Sequence, residues 1–421
     1  MIAFPEAQRA VIAACAALEP ETVGLDAALG RVLAVDAVAA EPLVPFARSA
    51  MDGYAVFTGD LLALPRTLPV SGSVFAAPGG GVHVPGTAMA IATGAALPVG
   101  CDAVVPFEEV SFAEGAIRIE RRVEAGDAVF PPGDDAQAGE TLARQGTVAT
   151  SAVLGILAAA GYARVAVHRR PSVTIICSGD ELVPVEALPG NGQIRNSNAP
   201  MLAAAIATFG GVVRETLTIA DDRARLRAAL ERALDASDLV VTTGGASMGE
   251  RDYVKATASG LGVAFAFEQV ALRPAKPTAF GVRGTTALAV LPGNPAAAFV
   301  ALHEFVGPAV RAFSGSAEVL PPRISVQLEG SIHSKPGRHF AAFAGLRAGE
   351  GGLIARPLGN QCSSLTRTAA EACGFIMVPP GAATYEIGER VDFDVVDWSK
   401  LQTVAVAASN GGSGSEASLV V

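Results

Sequence analysis

Three stretches bring acidic side chains to the ends of apolar runs. "SVTIIC" leads into Asp180 and Glu181, and "ETLTIA" leads into Asp221 and Asp222. "VVTTGGASMGERDY" passes through Gly244, Gly245 and Ser247 to Asp252. Carboxylates delivered by successive strands to one sheet edge repel one another unless a cation intervenes. A hard divalent ion such as Mg2+, held by one or two of them together with a substrate phosphate, is the chemistry this spacing fits. Acids at strand ends also cap the following helices, and for Asp222, directly before "RARLRAAL", that role is the better expectation.

A phosphate in such a place needs donors. Gly244 and Gly245 let backbone amides approach an anion, and Ser247 adds a hydroxyl. Gly293 and Asn294 in "LPGNPAAAF" precede a helix whose N-terminus offers free amides, although a tight turn with Pro295 at the first helical position explains the same residues. "LRPAKPTAF" sets Arg273 and Lys276 among prolines, including Pro277, and "KPGRHF" adds Lys335 and Arg338. Positive charge held stiffly beside an acidic edge suits an oxyanion, against the alternative of a solvated loop. Asp52 in "RSAMDGYAV" and Asp134 and Asp135 in "PPGDDAQAG" sit in turns that Asp and Gly favour anyway. No Ser/His/Asp or Cys/His arrangement is visible.

The elements that must position these residues follow from periodicity. From Pro171 to about Gly315, strand-like runs alternate with helical ones, which indicates a parallel sheet with helices on both faces and a ligand beyond the carboxyl ends of the strands. Residues 46–139 are rich in glycine, proline and short β-type runs and read as an inserted β-rich domain. They interrupt a discontinuous N-terminal domain formed by 1–45 plus 140–169. The α/β domain spans 170–315, a small β domain 321–398, and 399–421 reads as a disordered Gly/Ser-rich tail. Ala152–Val167 is too short for a membrane span and reads as a buried helix followed by a strand.

With 421 residues, half of them hydrophobic, the chain can bury several cores. A formal net charge of −10 argues against nucleic acid or an anionic membrane as the main partner. Five scattered cysteines without CxxC spacing suggest neither a disulfide framework nor structural zinc, which fits a reducing cytoplasm. No secretory signal is expected from "MIAFPEAQRA".

Taken together, "RSAMDGYAV", "TGAALPVGCDAVVPFE", "FPPGDDAQAG", "SGDELVPV" with "QIRNSN", "TTGGASMGERDY", "RPAKPTAFG" and "LPGNP" resemble, in order and spacing, the MoeA-type molybdopterin molybdenumtransferases, a family that includes the gephyrin E domain. The resemblance covers about residues 1–398. It implies an elongated homodimer of four-domain subunits, with a doubly wound, MogA/MoaB-like α/β domain. It also implies a transferase that cleaves adenylated molybdopterin with a divalent cation and inserts molybdate, the last step of molybdenum cofactor biosynthesis. Docking with the molybdopterin adenylyltransferase and with recipient molybdoenzymes belongs to the same expectation.

On the family pattern the functional acids fall on Asp52, Asp135, Glu181, Asp221 and Asp252, with Glu181 and Asp221 positioning Mg2+. Asp52 and Asp135 would come from the other subunit. Thr93, Ser178, Gly179, Gly244, Gly245, Ser247, Gly293 and Asn294 fall on substrate-binding positions, and Arg273, Lys276, Pro277 and Arg338 on the molybdate pocket. Two departures concern that pocket. Arg273 and Ala275 stand in the family's K-P-G-K-P, and Ala296 and Ala297 where a serine usually follows "PGNPV". In "GNQCSSLTRTAAEACG", alignment on Gln361 and Phe375 leaves Arg367 or Thr368 at a serine position. Two hydroxyls are thus expected to be missing, with Arg273 or Arg367 able to compensate through forked donors. The alternatives are a cofactor carrier without chemistry, and a paralogue that uses tungstate or another nucleotide pyrophosphate.

Overall fold

The computed structural model describes residues 1–244, 253–364, 366–381 and 384–402. Gly245, Ser247 and Asp252, and the tail beyond Gln402, lie outside the described residues. The chain divides into two compact units, Thr22–Val167 and Met1–Glu21 with His168–Val421.

The larger unit opens with helix α1 (Phe4–Ala14), started by a proline in its first turn. In the smaller unit, short strands separated by Gly- and Pro-rich turns form a sheet: β1 (Gly53–Val56), β2 (Arg66–Val74), β3 (Ala88–Ile91), β4 (Ala103–Pro106), β5 (Val110–Ala113) and β6 (Ala116–Ile119). Their order is β4-β1-β3-β2-β6-β5, and only the β2–β3 pair is parallel. Tyr54, Val56, Leu68, Val105, Ile117 and Ile119 fill its core. A separate cluster of Leu33, Leu157, Val165 and Val167 joins the segments on either side of the sheet in sequence. There lies α2 (Ser151–Ala159), capped by Thr150, whose hydroxyl accepts from Val153 N at 3.3 Å. The expectation of a buried helix is corrected: only Leu157 is fully buried, with Val153, Leu154 and Ile156 partly buried against small clusters and Ser151, Ala152, Gly155, Ala158 and Ala159 exposed.

In the larger unit β7 (Ser172–Ser178), β8 (Val212–Ile219), β9 (Leu239–Thr243), β10 (Ala264–Phe267), β11 (Ala279–Arg283) and β12 (Thr286–Leu291) form one sheet in the order β8-β7-β9-β12-β11-β10. The first four strands in that order are parallel, as the alternation with helices requires, and β11 and β10 close one edge antiparallel. The helices are α3 (Asn198–Thr208), α4 (Arg223–Ala236), α5 (Tyr253–Gly260), α6 (Pro295–Ala301) and α7 (Gly307–Phe313). Side chains of α4 and α5 cover one face of the sheet, and those of α3, α6 and α7 the other. At the start of the strands Arg169 grips Asp238 with two bonds, 2.7 and 2.9 Å, while Asp238 also accepts from Ser172 N.

Helix α1 packs on this second face rather than with residues 140–169, which corrects the expected N-terminal boundary. Phe4, Ala7 and Val11 lie on one helical stripe and are buried there, and full burial of Phe4 alone contributes about 2–3 kcal/mol. Gln8, on the same helix, solves a local problem. Pro308 has no N–H for the Glu304 carbonyl four residues earlier, and the helix widens to a π turn at Leu302–Val306. The Gln8 amide donates instead, to Glu304 O at 3.4 Å and to its carboxyl at 2.9 Å. The run Pro295–Phe313 is long and apolar enough to cross a membrane by length and composition, yet 83% of it is buried in this core.

A small barrel follows: β13 (Arg323–Leu328), β14 (His339–Gly349), β15 (Gly352–Pro357), α8 (Thr366–Glu371), β16 (Gly374–Val378) and β17 (Arg390–Val395). The strands run β14-β15-β13-β17-β16, and β16 pairs back to β14, so the ring closes without an open edge. Leu272–Arg273 adds to β14 in parallel, setting Arg273 opposite Phe340.

Candidate active site

The parallel strands bring their carboxyl ends to one side of the sheet. Ser178, Thr243 and Leu291 end β7, β9 and β12, and side-chain hydrogen bonds tie the turns beyond β9 and β12 to α3. Asn198 donates to Thr243 Oγ1 at 3.0 Å and to Gly293 O at 2.8 Å, and the Thr243 hydroxyl donates to Pro292 O at 2.8 Å. Gly244, at φ 89°, lies so close to β7 that a Cβ there would run into the Ser178 carbonyl oxygen. Glycine is what permits this approach.

A cavity of about 560 Å³ opens at these turns, and its walls include Ser178, Gly179, Glu181, Asp221, Gly244, Gly293 and Asn294. The residues expected to meet a phosphate and a metal are thus gathered, apart from those outside the described residues. The Glu181 carboxylate folds over Gly179, where a Cβ would stand 2.6 Å from its Oε2. Asp180 accepts from Asp221 N at 2.9 Å and so joins the loops after β7 and β8. Asp222 caps α4, accepting from Arg225 N at 2.8 Å. Arg195 also lines the cavity, a cation that "QIRNSN" contains but that residue-by-residue reading did not single out.

The start of α6 departs from expectation. Its amides are not free: Ala296 N and Ala297 N donate to the Ser363 carbonyl at 3.0 and 3.3 Å, and Asn294 Nδ2 donates to Ser363 Oγ at 3.3 Å. A loop of the barrel domain therefore supplies the cap. Anion binding by that helix end is replaced by a contact that fixes Ser363 at the site.

A second cavity, about 450 Å³, adjoins the first and shares Pro277, Pro292 and Asn294 with it. Arg273, Lys276 and Arg338 line it, and Lys335 does not. Because β14 holds Phe340 opposite Arg273, the guanidinium lies over that ring, 3.7 Å from its centroid. Burial, and then the neighbouring Arg338, push the Arg273 pKa below its usual range. Among the described residues no carboxylate forms an ion pair with Arg273, Lys276 or Arg338. Positive charge gathered without a counter-charge is what an oxyanion site requires.

Ala297 lines this cavity, as does Ser363, a hydroxyl side chain outside the two positions where one was expected to be missing. Arg367 is directed elsewhere, pairing with Glu371 at 2.7 Å, and Thr368 is buried and donates to Asn360 O. Neither completes the pocket. Gln361 is a strut: it accepts from Phe343 N and donates to Phe343 O and Leu358 O. Ala275 holds φ at 90°, a conformation that costs a residue with a Cβ about 1 kcal/mol.

In the smaller unit Asp52 accepts from Thr93 N at 2.7 Å and from Thr93 Oγ1 at 3.0 Å, and these bonds hold its carboxyl below the usual range. Asp134 and Asp135 are exposed at the end of the turn through Pro132 and Gly133. A wider groove of about 680 Å³ in the larger unit, walled by Met201, Phe209, Phe299 and His303, holds none of the candidate residues.

Glu181 and Asp221 provide two carboxylates on one cavity wall, a donor set that suits Mg2+ sharing a substrate phosphate. Among the described residues no group of three or more potential metal ligands occurs.

Residues 2–161 match the MoeA N-terminal region (domain I and II), 174–312 the probable molybdopterin binding domain, and 325–396 the MoeA C-terminal region (domain IV). Molybdopterin molybdenumtransferase of Bacillus subtilis is 35% identical over 384 residues, 89% of each chain. Molybdopterin molybdenumtransferase 2 of Mycobacterium tuberculosis is 35% identical over 408 residues, 93% of this chain and 98% of the relative. Two crystal structures of the molybdopterin biosynthesis MoeA protein of Pyrococcus horikoshii superpose with TM-scores of 0.80 and 0.75, at 26% and 29% identity. Each covers 94% of this chain, against 100% and 99% of the solved ones.

Proposed function

The chain belongs to the MoeA family, and from that premise we propose that it is a molybdopterin molybdenumtransferase that inserts molybdate into adenylated molybdopterin and releases AMP. The observation that carries this reading is the pair of adjoining cavities, one with strand-end acids and glycine turns, the other with three cations that have no carboxylate partner among the described residues. A substrate with a pyrophosphate and a dithiolene needs both environments side by side.

In this reading the Gly244 turn and Ser178 orient the pyrophosphate, and Arg195 offsets its charge. Arg273, Lys276 and Arg338 hold molybdate through charge-assisted bonds, with Ser363 as hydroxyl donor. Placing the dithiolene and the oxyanion together converts a two-body encounter into a positioned reaction. Glu181 and Asp221 would hold Mg2+, which when bound neutralises charge on the phosphoanhydride. Ser247 and Asp252 belong to the same site by sequence. The homodimer, with Asp52, Thr93 and Asp135 acting from the partner copy, is part of the proposal, as is a cytoplasmic setting.

The test is a single-turnover assay with adenylated molybdopterin and Mg2+, with and without molybdate, following AMP release and reconstitution of a cofactor-free molybdoenzyme. Molybdate-dependent AMP release with reconstitution is the expected outcome. Tight binding of the adenylate with neither signal would leave a carrier.

A further inference from the structure

Three cavities of the larger unit stand in a row. The oxyanion cavity shares Arg273, Phe340 and Gln361 with a third, about 530 Å³, in the barrel domain. No step described above uses this third cavity. Ile332 and Leu358 give it apolar wall, and Ser331 and Arg356 give it donors. The Arg356 side chain makes no hydrogen bond or close ion pair among the described residues. Glu329, on the same wall, is bonded to Arg347 at 2.9 Å, and that bond first, then the charges of Arg347 and Arg356, hold its carboxyl below the usual range. Between the second and third cavities lies the Arg273 guanidinium, held flat by the Phe340 ring on which it rests.

The substrate's own connectivity supplies the other half of the argument, and this step rests on the transferase reading. Adenylated molybdopterin runs from nucleotide through pyrophosphate to a pyran ring bearing the dithiolene, and from there into a fused pterin. With the pyrophosphate in the first cavity and the dithiolene at the cations of the second, the pterin is carried onward in the same direction. We propose that the third cavity is the pterin subsite, with the guanidinium of Arg273 as its stacking platform and Ser331 and Arg356 as donors to the ring's oxygen and nitrogen edge. A guanidinium plane stacks well on a flat heteroaromatic, and the volume lies within the ordinary range for small-molecule sites.

The test uses the full chain and neopterin, a pterin with neither phosphate nor dithiolene, followed by quenching of its fluorescence. Ser331→Tyr narrows the cavity at an exposed position, and Arg356→Gln removes the cation. Saturable quenching by wild type, weakened about tenfold or more by Ser331→Tyr and several-fold by Arg356→Gln, is expected, with AMP and molybdate affinities unchanged by calorimetry. Absence of saturable quenching by wild type, or wild-type neopterin affinity in both variants, overturns the subsite. If that happens while wild type still releases AMP in response to molybdate, the transferase reading stands and only the subsite falls. Pterin binding that follows the two variants, in a protein without molybdate-dependent AMP release, overturns the transferase reading instead.

Discussion

Replacing Arg338 with Gln should move binding and stability in opposite directions. In the free protein Arg273 and Arg338 stand together without a carboxylate partner among the described residues, and burial and Arg338 both work against the Arg273 charge. Removing one cation therefore relieves repulsion in the unliganded state by up to ~1 kcal/mol, the scale of a part-exposed ion pair with its sign reversed. With molybdate present, the same change deletes a charge-assisted hydrogen bond of ~1.5–3 kcal/mol. Affinity should fall about 10- to 100-fold at low salt, and by less at high salt as screening weakens the wild-type attraction. Calorimetric titration with molybdate gives the first quantity and thermal unfolding without ligand the second. A lower Tm with unaltered molybdate affinity would refute the reasoning and make Arg338 a structural residue.

Glu181→Ala should abolish Mg2+-dependent AMP release while thermal unfolding stays near wild type; normal turnover at saturating Mg2+ would remove Glu181 from the mechanism. Ala297→Ser should tighten molybdate binding by about 1 kcal/mol, the net worth of a neutral hydrogen bond, and an unaltered titration would show that Ser363 and Arg273 already satisfy the oxyanion. Glu304→Gln should alter the pH dependence of stability. Burial, and then Asp394, raise the Glu304 carboxyl well above its usual range against the pull of Arg323, Arg311 and Gln8. The folded state thus keeps a proton that the unfolded chain loses near pH ~4.3, and stability falls as pH rises from there toward the folded value. His303, pushed down to about 3 by burial and then by Arg311 and Lys400, gives the opposite slope between about pH 3 and 6.5. Wild type and Glu304→Gln share that slope, so their difference in urea midpoint across pH isolates Glu304; a constant difference would mean that the carboxyl does not titrate there.

What was legible in the sequence is what local spacing determines. Strands alternating with helices force parallel pairing, and parallel pairing sends every carboxyl end to one edge, so Ser178, Glu181, Asp221 and Gly293 could be placed together before any contact was known. The same local logic finds Asp222 as the cap of α4. Contacts between distant segments left no such trace. The helix at Phe4–Ala14 joins the α/β core because of an apolar stripe that could have matched any hydrophobic surface. The cap of α6 arrives from Ser363, 69 residues after Asn294.

That cap also changes the chemistry inferred for the oxyanion pocket. Sequence comparison subtracts two hydroxyls from it, at Ala297 and near Arg367, and offers either Arg273 or Arg367 as compensation. In the structure Ser363, at neither of those positions, lines the pocket with a hydroxyl, and Arg367 pairs with Glu371. What remains of the proposed compensation is the Arg273 guanidinium held over Phe340. Relative to the family pattern, a serine hydroxyl is thus absent at Ala297, and a flexible lysine is replaced by a planar cation whose orientation is fixed by packing. Arg273→Lys would keep the charge and lose both the fork and the stacking, so the exchange predicts that it weakens molybdate binding in this chain, and that adding Ala297→Ser to it recovers part of the loss. Titration of the single and double variants decides the point: equal affinity in wild type and Arg273→Lys would mean that charge alone holds the oxyanion.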